Sequence, residues 1–285
     1  MKILILGARG FTGRHLMASL RLRRDVTALD ARDYGLDLLE PATLPAAIGK
    51  AEPDMVVNLA AIATPTSTEV PRMYETNAFG HLRLMEALKA ANFAGRYIFA
   101  SSANVYGHRR DPVLQETMAP QPANHYGCSK ALAEHFCAMN AWPFEVRITR
   151  PFNCIGVGQA EIYLVPKIIR HFREQQPVIT LGNTAIERDF VDIRDAVAMY
   201  ETVMFADQPA PLTNFATNQS RSIQSIVEAM QEISGHRIVV ESDQSLIRPN
   251  DLLHQCGDNA RIRQLGWQQA HPLRETLEWM YGSPC

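Results

Sequence analysis

The chain has 285 residues, of which 46% are hydrophobic and 20% are charged, and its formal net charge is -2. This composition is typical of a globular protein, so it excludes a disordered or collagen-like chain. The small net charge also argues against a protein that binds nucleic acid or coats an anionic membrane. At about 150 residues per domain, the length predicts roughly two domains.

The sequence contains neither a membrane segment nor a disulfide framework that we can recognise. No apolar run reaches the roughly 20 residues that cross a bilayer, and the run after Met1 is too short for a signal peptide. The five cysteines form no C-x-x-C pair, which favours reduced thiols in a cytoplasmic protein. The histidines show no metal-binding spacing, so we expect no metal site.

Short apolar runs alternate with amphipathic segments through the first half of the chain, which predicts a parallel sheet with helices on both faces. The predicted strands are Lys2–Leu6, Val26–Leu29, Met55–Ala61, Tyr97–Ala100 and Phe144–Thr149. The predicted helices of this half are Thr12–Leu22, Pro71–Ala91 and Tyr126–Asn140. These elements predict an α/β protein built on a doubly wound parallel sheet.

Repeated prolines divide the chain into shorter pieces after Arg150. Helices are predicted there at Tyr163–Glu174, Ala196–Phe205, Ile223–Ile233 and Leu273–Met280. We therefore expect two domains, residues 1–150 and a smaller α/β domain in residues 151–285, parts of which return to the first.

A glycine-rich turn follows the first predicted strand and opens the first predicted helix. It reads Gly7-Ala8-Arg9-Gly10-Phe11-Thr12-Gly13, which is G-x-x-G-x-x-G. Glycine lets a backbone turn tightly and approach a pyrophosphate, and the helix N-terminus offers unpaired N–H groups to the phosphates. Residues 1–150 are therefore predicted to form a dinucleotide-binding Rossmann domain. The predicted cofactor contacts in this turn are Gly7, Arg9, Gly10, Phe11, Thr12 and Gly13.

The residues after the second strand leave the choice between NAD and NADP open. Asp30 is placed to hydrogen-bond the ribose diol of NAD, whereas Arg9 and Arg32 are placed to meet the 2′-phosphate of NADP. Asp37 and Leu38 follow in a loop that could meet the adenine.

Tyr126 and Lys130 are four residues apart on a predicted helix, so they share one face. A nearby ammonium favours a phenolate, so we expect Lys130 to lower the pKa of Tyr126. Ser101 and Ser102 follow the strand Tyr97–Ala100, at the sheet edge where α/β proteins bind ligands. A hydroxyl there could hydrogen-bond an oxygen that gains or loses a proton.

At these residues the chain resembles the extended short-chain dehydrogenase/reductases, over nearly its whole length. The resemblance rests on the three glycines, Asn58-Leu59-Ala60-Ala61, Asn77, Ser-Ser-x-x-Val-Tyr-Gly at 101–107, Tyr126 with Lys130, Arg150-Pro151-Phe152-Asn153 and Arg188-Asp189-Phe190-Val191. It implies that Ser102, rather than Ser101, is catalytic together with Tyr126 and Lys130. It also implies further cofactor contacts by Leu59, Ala60, Ala61, Asn77, Ser101, Tyr126, Lys130 and Pro151.

Enzymes of this family act on nucleotide-diphosphate sugars and commonly dimerise through two long helices. In this chain those helices would be Pro71–Ala91 and Tyr126–Asn140, so we expect a homodimer. The segment from Pro151 to Gln159 looks like that of the GDP-4-dehydro-6-deoxy-D-mannose reductases, although Val157 replaces the usual proline. The resemblance suggests Ser102, Asn153, Val165, Lys167, Arg188, Arg248 and Asp251 as substrate-binding residues.

The residues after Ser102 distinguish between reactions. Sugar 4,6-dehydratases of this superfamily carry acidic residues there, whereas this chain has Ala103 and Asn104, and neither side chain can act as a general base. We therefore expect a keto-sugar reductase that uses NADH or NADPH. The alternatives are a nucleotide-sugar 4-epimerase with tightly bound NAD and, more remotely, a non-catalytic dinucleotide-sensing protein.

Overall fold

The computed structural model describes residues 1–63, 69–139, 141–247 and 252–283. Within these ranges six parallel strands form the large sheet, in the order β2-β1-β3-β4-β5-β9. The bounds of these strands are β1 Lys2–Leu6, β2 Thr27–Asp30, β3 Met55–Asn58, β4 Arg96–Ala100, β5 Glu145–Pro151 and β9 Leu212–Phe215. The order reverses between β1 and β3, which creates the crevice in which such sheets bind ligands.

Both faces of the large sheet are buried, as its continuous apolar strands predict. Ile3 and Ile5 of β1 pack into one hydrophobic core, and Leu4 and Leu6 pack into the other, because successive side chains of a strand point to opposite faces. The flanking helices are α1 Phe11–Leu20, α2 Leu44–Ala51, α3 Val70–Tyr74, α4 His81–Ala90, α5 His125–Met139 and α7 Ile193–Phe205. The predicted Rossmann-like α/β fold is confirmed.

The second half of the chain forms smaller sheets over a third hydrophobic core. Strand β8 pairs with β6, β10 and β12, and β7 pairs with β11. Their bounds are β6 Asn153–Ile155, β7 Val178–Leu181, β8 Glu187–Asp192, β10 Ser220–Ser222, β11 Val239–Ser242 and β12 His254–Gln255. The helices here are α6 Leu164–Arg173, α8 Ile223–Ser234, α9 Ala260–Gln264 and α10 Leu273–Gly282. Strand β9 of this half pairs with β5 in the large sheet.

The long helix that was predicted at Pro71–Ala91 is interrupted by a π-helical segment, Glu75–Gly80, between α3 and α4. Such segments are frequent at functional sites, and this one contains Asn77. No helix in the described ranges is long and apolar enough to cross a membrane.

Candidate active site

The glycine-rich turn has the geometry that a close approach to a ligand requires. Gly7 has a φ of +76°, and a Cβ atom built on it would lie 2.8 Å from the carbonyl carbon of Leu59. A Cβ on Gly13 would lie 2.1 Å from the carbonyl oxygen of Gly7. Both positions therefore admit glycine alone, because any side chain would push the turn away from β3 or from α1.

A cavity lies above this turn, next to the end of β2. It has a volume of about 240 Å³ and is lined by Gly7, Ala8, Arg9, Gly10, Asp30 and Arg32. Helix α1 begins at Phe11, directly after this turn, and in the part of the chain that the structure describes no side chain caps it. Its first N–H groups therefore remain available to a phosphate.

Charged residues at the carboxyl ends of β1 and β2 form what we call the open end of the site, which comprises Arg9, Asp30, Arg32 and Asp33. The Arg9 guanidinium donates to Asp30 at 2.6 Å and to Asp33 at 2.7 Å. The other Asp30 oxygen accepts the backbone N–H of Arg32 at 3.0 Å. The Arg9 side chain is 59% exposed, against 10% for Asp30. Asp30, which favours NAD, and Arg9, which favours NADP, are thus paired with each other.

The loop after the open end adds a buried leucine. Leu38 is buried and packs beside Gly80, whereas Asp37 is exposed and accepts the backbone N–H of Leu39.

The three predicted catalytic side chains come together at the carboxyl end of β4, in what we call the buried end of the site. It comprises Ser101, Ser102, Tyr126, Lys130 and Glu134. Lys130 is 1% exposed, and its Nζ atom donates to the carbonyl oxygen of Ala100 at 2.7 Å. Burial lowers the pKa of Lys130 to about 7, and the carboxylate of Glu134 opposes this shift.

The expectation that Lys130 makes Tyr126 more acidic is wrong for this structure. Burial raises the pKa of Tyr126 to about 12, and a hydrogen bond with Ser102 lowers it by less than burial raises it. The reason is that the phenolate would lose its hydration, while the ammonium of Lys130 is bonded to Ala100. Tyr126 is therefore a protonated phenol at neutral pH.

A buried ion pair behind the triad was missed in the sequence. Arg150 donates to both oxygens of Glu134, at 2.9 and 2.6 Å, and Ser101 donates to the same carboxylate at 2.5 Å. Ser101 is thus occupied by Glu134, whereas Ser102 lies beside Tyr126. The position of Glu134, one helical turn after Lys130, was the signal that could have revealed it.

The loop after β3 lies directly beside Gly7 and is held by Asn77. Asn77 is 1% exposed and bonds to the backbone N–H and carbonyl of Ile62 and to the hydroxyl of Ser129. Its amide therefore fixes the segment that follows Leu59, Ala60 and Ala61, and a contact of its own with the cofactor remains a prediction.

The predicted substrate residues are scattered over the second half of the chain. Asn153 donates to the carbonyl of Asp189 at 3.2 Å, and Lys167 donates to that of Thr180 at 2.9 Å. Val165 is 2% exposed and belongs to the third hydrophobic core. Pro151 ends β5 and Arg188 lies on β8, while Arg248 and Asp251 lie outside the described residues.

The glycine-rich turn lies at the switch point of the parallel sheet, and Tyr126 and Lys130 lie at the carboxyl end of β4. Together these features define a dinucleotide-dependent enzyme of the Rossmann class. The chain matches the NAD dependent epimerase/dehydratase family over residues 3–212 and belongs to it. The expectation of an NAD- or NADP-dependent oxidoreductase or epimerase is thereby confirmed at the level of the family.

Two relatives and one solved structure match nearly the whole chain. GDP-6-deoxy-D-talose 4-dehydrogenase of Aggregatibacter actinomycetemcomitans is 29% identical, covering 99% of this chain and 97% of its own length. GDP-6-deoxy-D-mannose reductase of Pseudomonas aeruginosa is 28% identical, covering 97% and 94%. The structure of RMD from Pseudomonas aeruginosa complexed with NADPH is 27% identical and superposes with a TM-score of 0.90, covering 98% of this chain and 97% of that one.

Proposed function

We propose that this protein reduces the 4-keto group of a nucleotide-diphosphate 4-keto-6-deoxy sugar of the GDP-4-dehydro-6-deoxy-mannose type, using NADH or NADPH. The observation that carries the proposal is the buried pair of Ser102 and Tyr126 with an amide, Asn104, where a dehydratase needs an acid. The relatives that act on GDP-6-deoxy sugars support the substrate class.

The chemistry that a bound reduced nicotinamide supplies is hydride transfer to C4 of the sugar. Tyr126 gives its proton to the C4 oxygen as that oxygen becomes an alkoxide, so the ketone becomes an alcohol. Ser102 donates a hydrogen bond to the same oxygen, where charge develops in the transition state. The tyrosinate regains its proton from solvent, and Lys130 would hold the nicotinamide ribose beside Tyr126.

The raised pKa of Tyr126 favours this direction of reaction. A phenol with a pKa of about 12 carries its proton at neutral pH, as a proton donor must. An epimerase would first have to remove a proton from the sugar hydroxyl, which requires a phenolate.

The substrate diphosphate requires cations, and we assign this part to Arg188 and Arg248, because guanidinium groups match phosphate oxygens. Asn153 and Lys167 would reach the sugar or the nucleotide, and Val165 would support the helix that carries Lys167.

The assembly that we propose is a homodimer through α3, α4 and α5, in the cytoplasm. Phe79 is 41% exposed in the π-helical segment between α3 and α4, and Met139 is 60% exposed at the end of α5. The Phe79 ring centroid lies 6.3 Å from that of Phe136. Light scattering on the purified protein tests the dimer.

The direct test of function mixes the purified protein with GDP-4-dehydro-6-deoxy-mannose and NADPH or NADH. We expect one reduced cofactor to be consumed for each sugar alcohol formed, with the product identified by NMR. In Tyr126→Phe we expect kcat to fall by about 10²- to 10⁴-fold while cofactor binding persists.

Two results would contradict the proposed reductase and favour one of the alternatives. Interconversion of C4 epimers without net cofactor consumption would indicate the epimerase. Cofactor binding with no turnover of any keto-sugar nucleotide would indicate the non-catalytic protein.

A further inference from the structure

Two asparagines connect the start of helix α5 to the hydroxyl of Ser102. The Oδ1 atom of Asn124 accepts the backbone N–H of Gly127 at 2.8 Å, so Asn124 caps the helix that carries Tyr126. Its Nδ2 atom donates to Oδ1 of Asn104 at 3.2 Å. The Nδ2 atom of Asn104 in turn donates to Oγ of Ser102, also at 3.2 Å.

The backbone N–H of Gly127 fixes the direction of every hydrogen bond in this relay from Gly127 to Ser102. A backbone N–H can only donate, so Asn124 must turn its carbonyl oxygen to Gly127 and its amide nitrogen to Asn104. Asn104 must then offer its oxygen to Asn124 and its nitrogen to Ser102. The asparagines therefore have one consistent orientation.

Ser102 receives a second hydrogen bond from the same residue. The backbone N–H of Asn104 donates to Oγ of Ser102 at 3.2 Å. A serine oxygen accepts two hydrogen bonds and donates one, so both acceptor positions are filled. The O–H of Ser102 must therefore be donated away from Asn104, towards Tyr126.

We propose that Asn104 and Asn124 are positioning residues that fix Ser102 as a hydrogen-bond donor to the reacting oxygen. The identity of that oxygen, the C4 ketone, rests on the proposed function, whereas the relay itself rests on the geometry. Packing keeps the two elements together: a Cβ atom on Gly127 would lie 2.6 Å from the carbonyl oxygen of Asn104.

The test compares Asn104→Asp and Asn104→Ala with the parent. An ionised aspartate cannot donate to Ser102 and would accept its proton instead, so we expect kcat to fall about a hundredfold with little change in KM. Alanine keeps the backbone hydrogen bond to Ser102 but leaves its second acceptor position empty, so the hydroxyl has more than one available direction and we expect about a tenfold loss.

The dependence on pH separates positioning from a general structural role. A protonated aspartic acid can donate as asparagine does. The ratio of kcat in Asn104→Asp to that of the parent should therefore rise as the pH falls through the pKa of the new carboxyl group. The titratable groups nearby are Tyr126 and Lys130 on α5, with Cys154 and Tyr163 facing Tyr126 from the second half; these are unchanged in the variant.

Asn124→Asp provides a matched control. It keeps the oxygen that caps the helix and removes the donor to Asn104, so we expect a loss smaller than that of Asn104→Asp. Equal kcat values in the parent and both Asn104 variants at every pH would overturn the proposal.

A neutron crystal structure tests the relay without any turnover. We expect the hydroxyl hydrogen of Ser102 in the parent to point away from Asn104, and a hydrogen that points at Asn104 would overturn the relay. An inactive parent would instead overturn the proposed function, so the two failures are distinguishable.

Discussion

The two ends of the dinucleotide site hold their charges in opposite ways. At the open end, Arg9 is largely exposed, and its carboxylate partners are Asp30 at the end of β2 and the exposed Asp33. At the buried end, Lys130 and Glu134 lie on one face of α5, and each is less than a tenth exposed. Charges in solvent exchange partners at little cost, whereas buried charges require theirs.

This difference indicates that the two ends of the site have different roles. The buried end can hold reacting groups in one geometry, because every charged group there has a fixed partner. The open end can adapt to the cofactor, because water and ions can replace its internal pairs. Substitutions at the buried end should therefore affect folding and turnover, whereas substitutions at the open end should affect cofactor preference.

The largest effect is expected from breaking the pair of Glu134 and Arg150. Glu134→Leu leaves the Arg150 guanidinium, on a residue 2% exposed, without its bidentate partner. We expect the free energy of unfolding to fall by about 3–5 kcal/mol, measured by urea denaturation.

A double variant and an exposed pair provide the controls. Glu134→Leu combined with Arg150→Met replaces both charges by apolar groups, so stability should largely return. Glu278→Leu removes a partner of the exposed Arg274 and should cost less than about 1 kcal/mol. Equal losses in Glu134→Leu and Glu278→Leu would contradict the comparison.

The next effect concerns His81, which is buried behind the buried end. Its Nδ1 atom lies 2.9 Å from the hydroxyl of Tyr97, and burial lowers its pKa to about 3. The unfolded chain, with a histidine pKa of about 6.5, binds the proton first, so stability falls as the pH drops from about 6.5 towards 3.

From pH 7 to pH 4 this histidine should remove about 3 kcal/mol of stability. His81→Gln does not titrate, so its stability should fall by correspondingly less over the same range, as measured by urea denaturation at each pH. Parallel losses in the parent and His81→Gln would show that His81 does not control the acid sensitivity.

The contrast between the two ends also explains what could be predicted from the sequence. The large sheet, the glycine-rich turn and the meeting of Ser102, Tyr126 and Lys130 follow from local patterns, since strand edges and helix faces are set by spacing. The pairing of Arg9 with Asp30 and of Arg150 with Glu134 depends on side chains that the fold brings together. The acidity of Tyr126 was mispredicted because spacing gives proximity but not desolvation.

A smaller effect concerns the titration of Lys130. Its pKa of about 7 means that the ammonium is lost as the pH rises through neutrality. For the free enzyme we expect kcat/KM to fall about tenfold for each pH unit above 7. Lys130→Arg remains charged, so its profile should lack this decline, and a parent profile that stays flat to pH 9 would contradict the role.

The smallest effect is expected at the open end, where Arg9 neutralises Asp30. In Arg9→Ala, the Asp30 carboxylate would face the ribose unpaired and would repel a 2′-phosphate, while it could still accept the hydroxyls of NAD. The affinity for NADPH should therefore fall about tenfold relative to that for NADH, as measured by titration of the cofactor fluorescence.

Two variants sharpen this last prediction. Asp33→Asn removes one of the carboxylates that hold Arg9, so the guanidinium becomes freer to meet a phosphate and NADPH affinity should rise a few-fold. Arg21→Ala removes an exposed charge beyond the C-terminal end of α1 and should leave the ratio unchanged. If Arg9→Ala instead weakened both cofactors equally, Arg9 would hold the shape of the turn and would not select the cofactor, and the preference would then depend on Arg32 and Asp30.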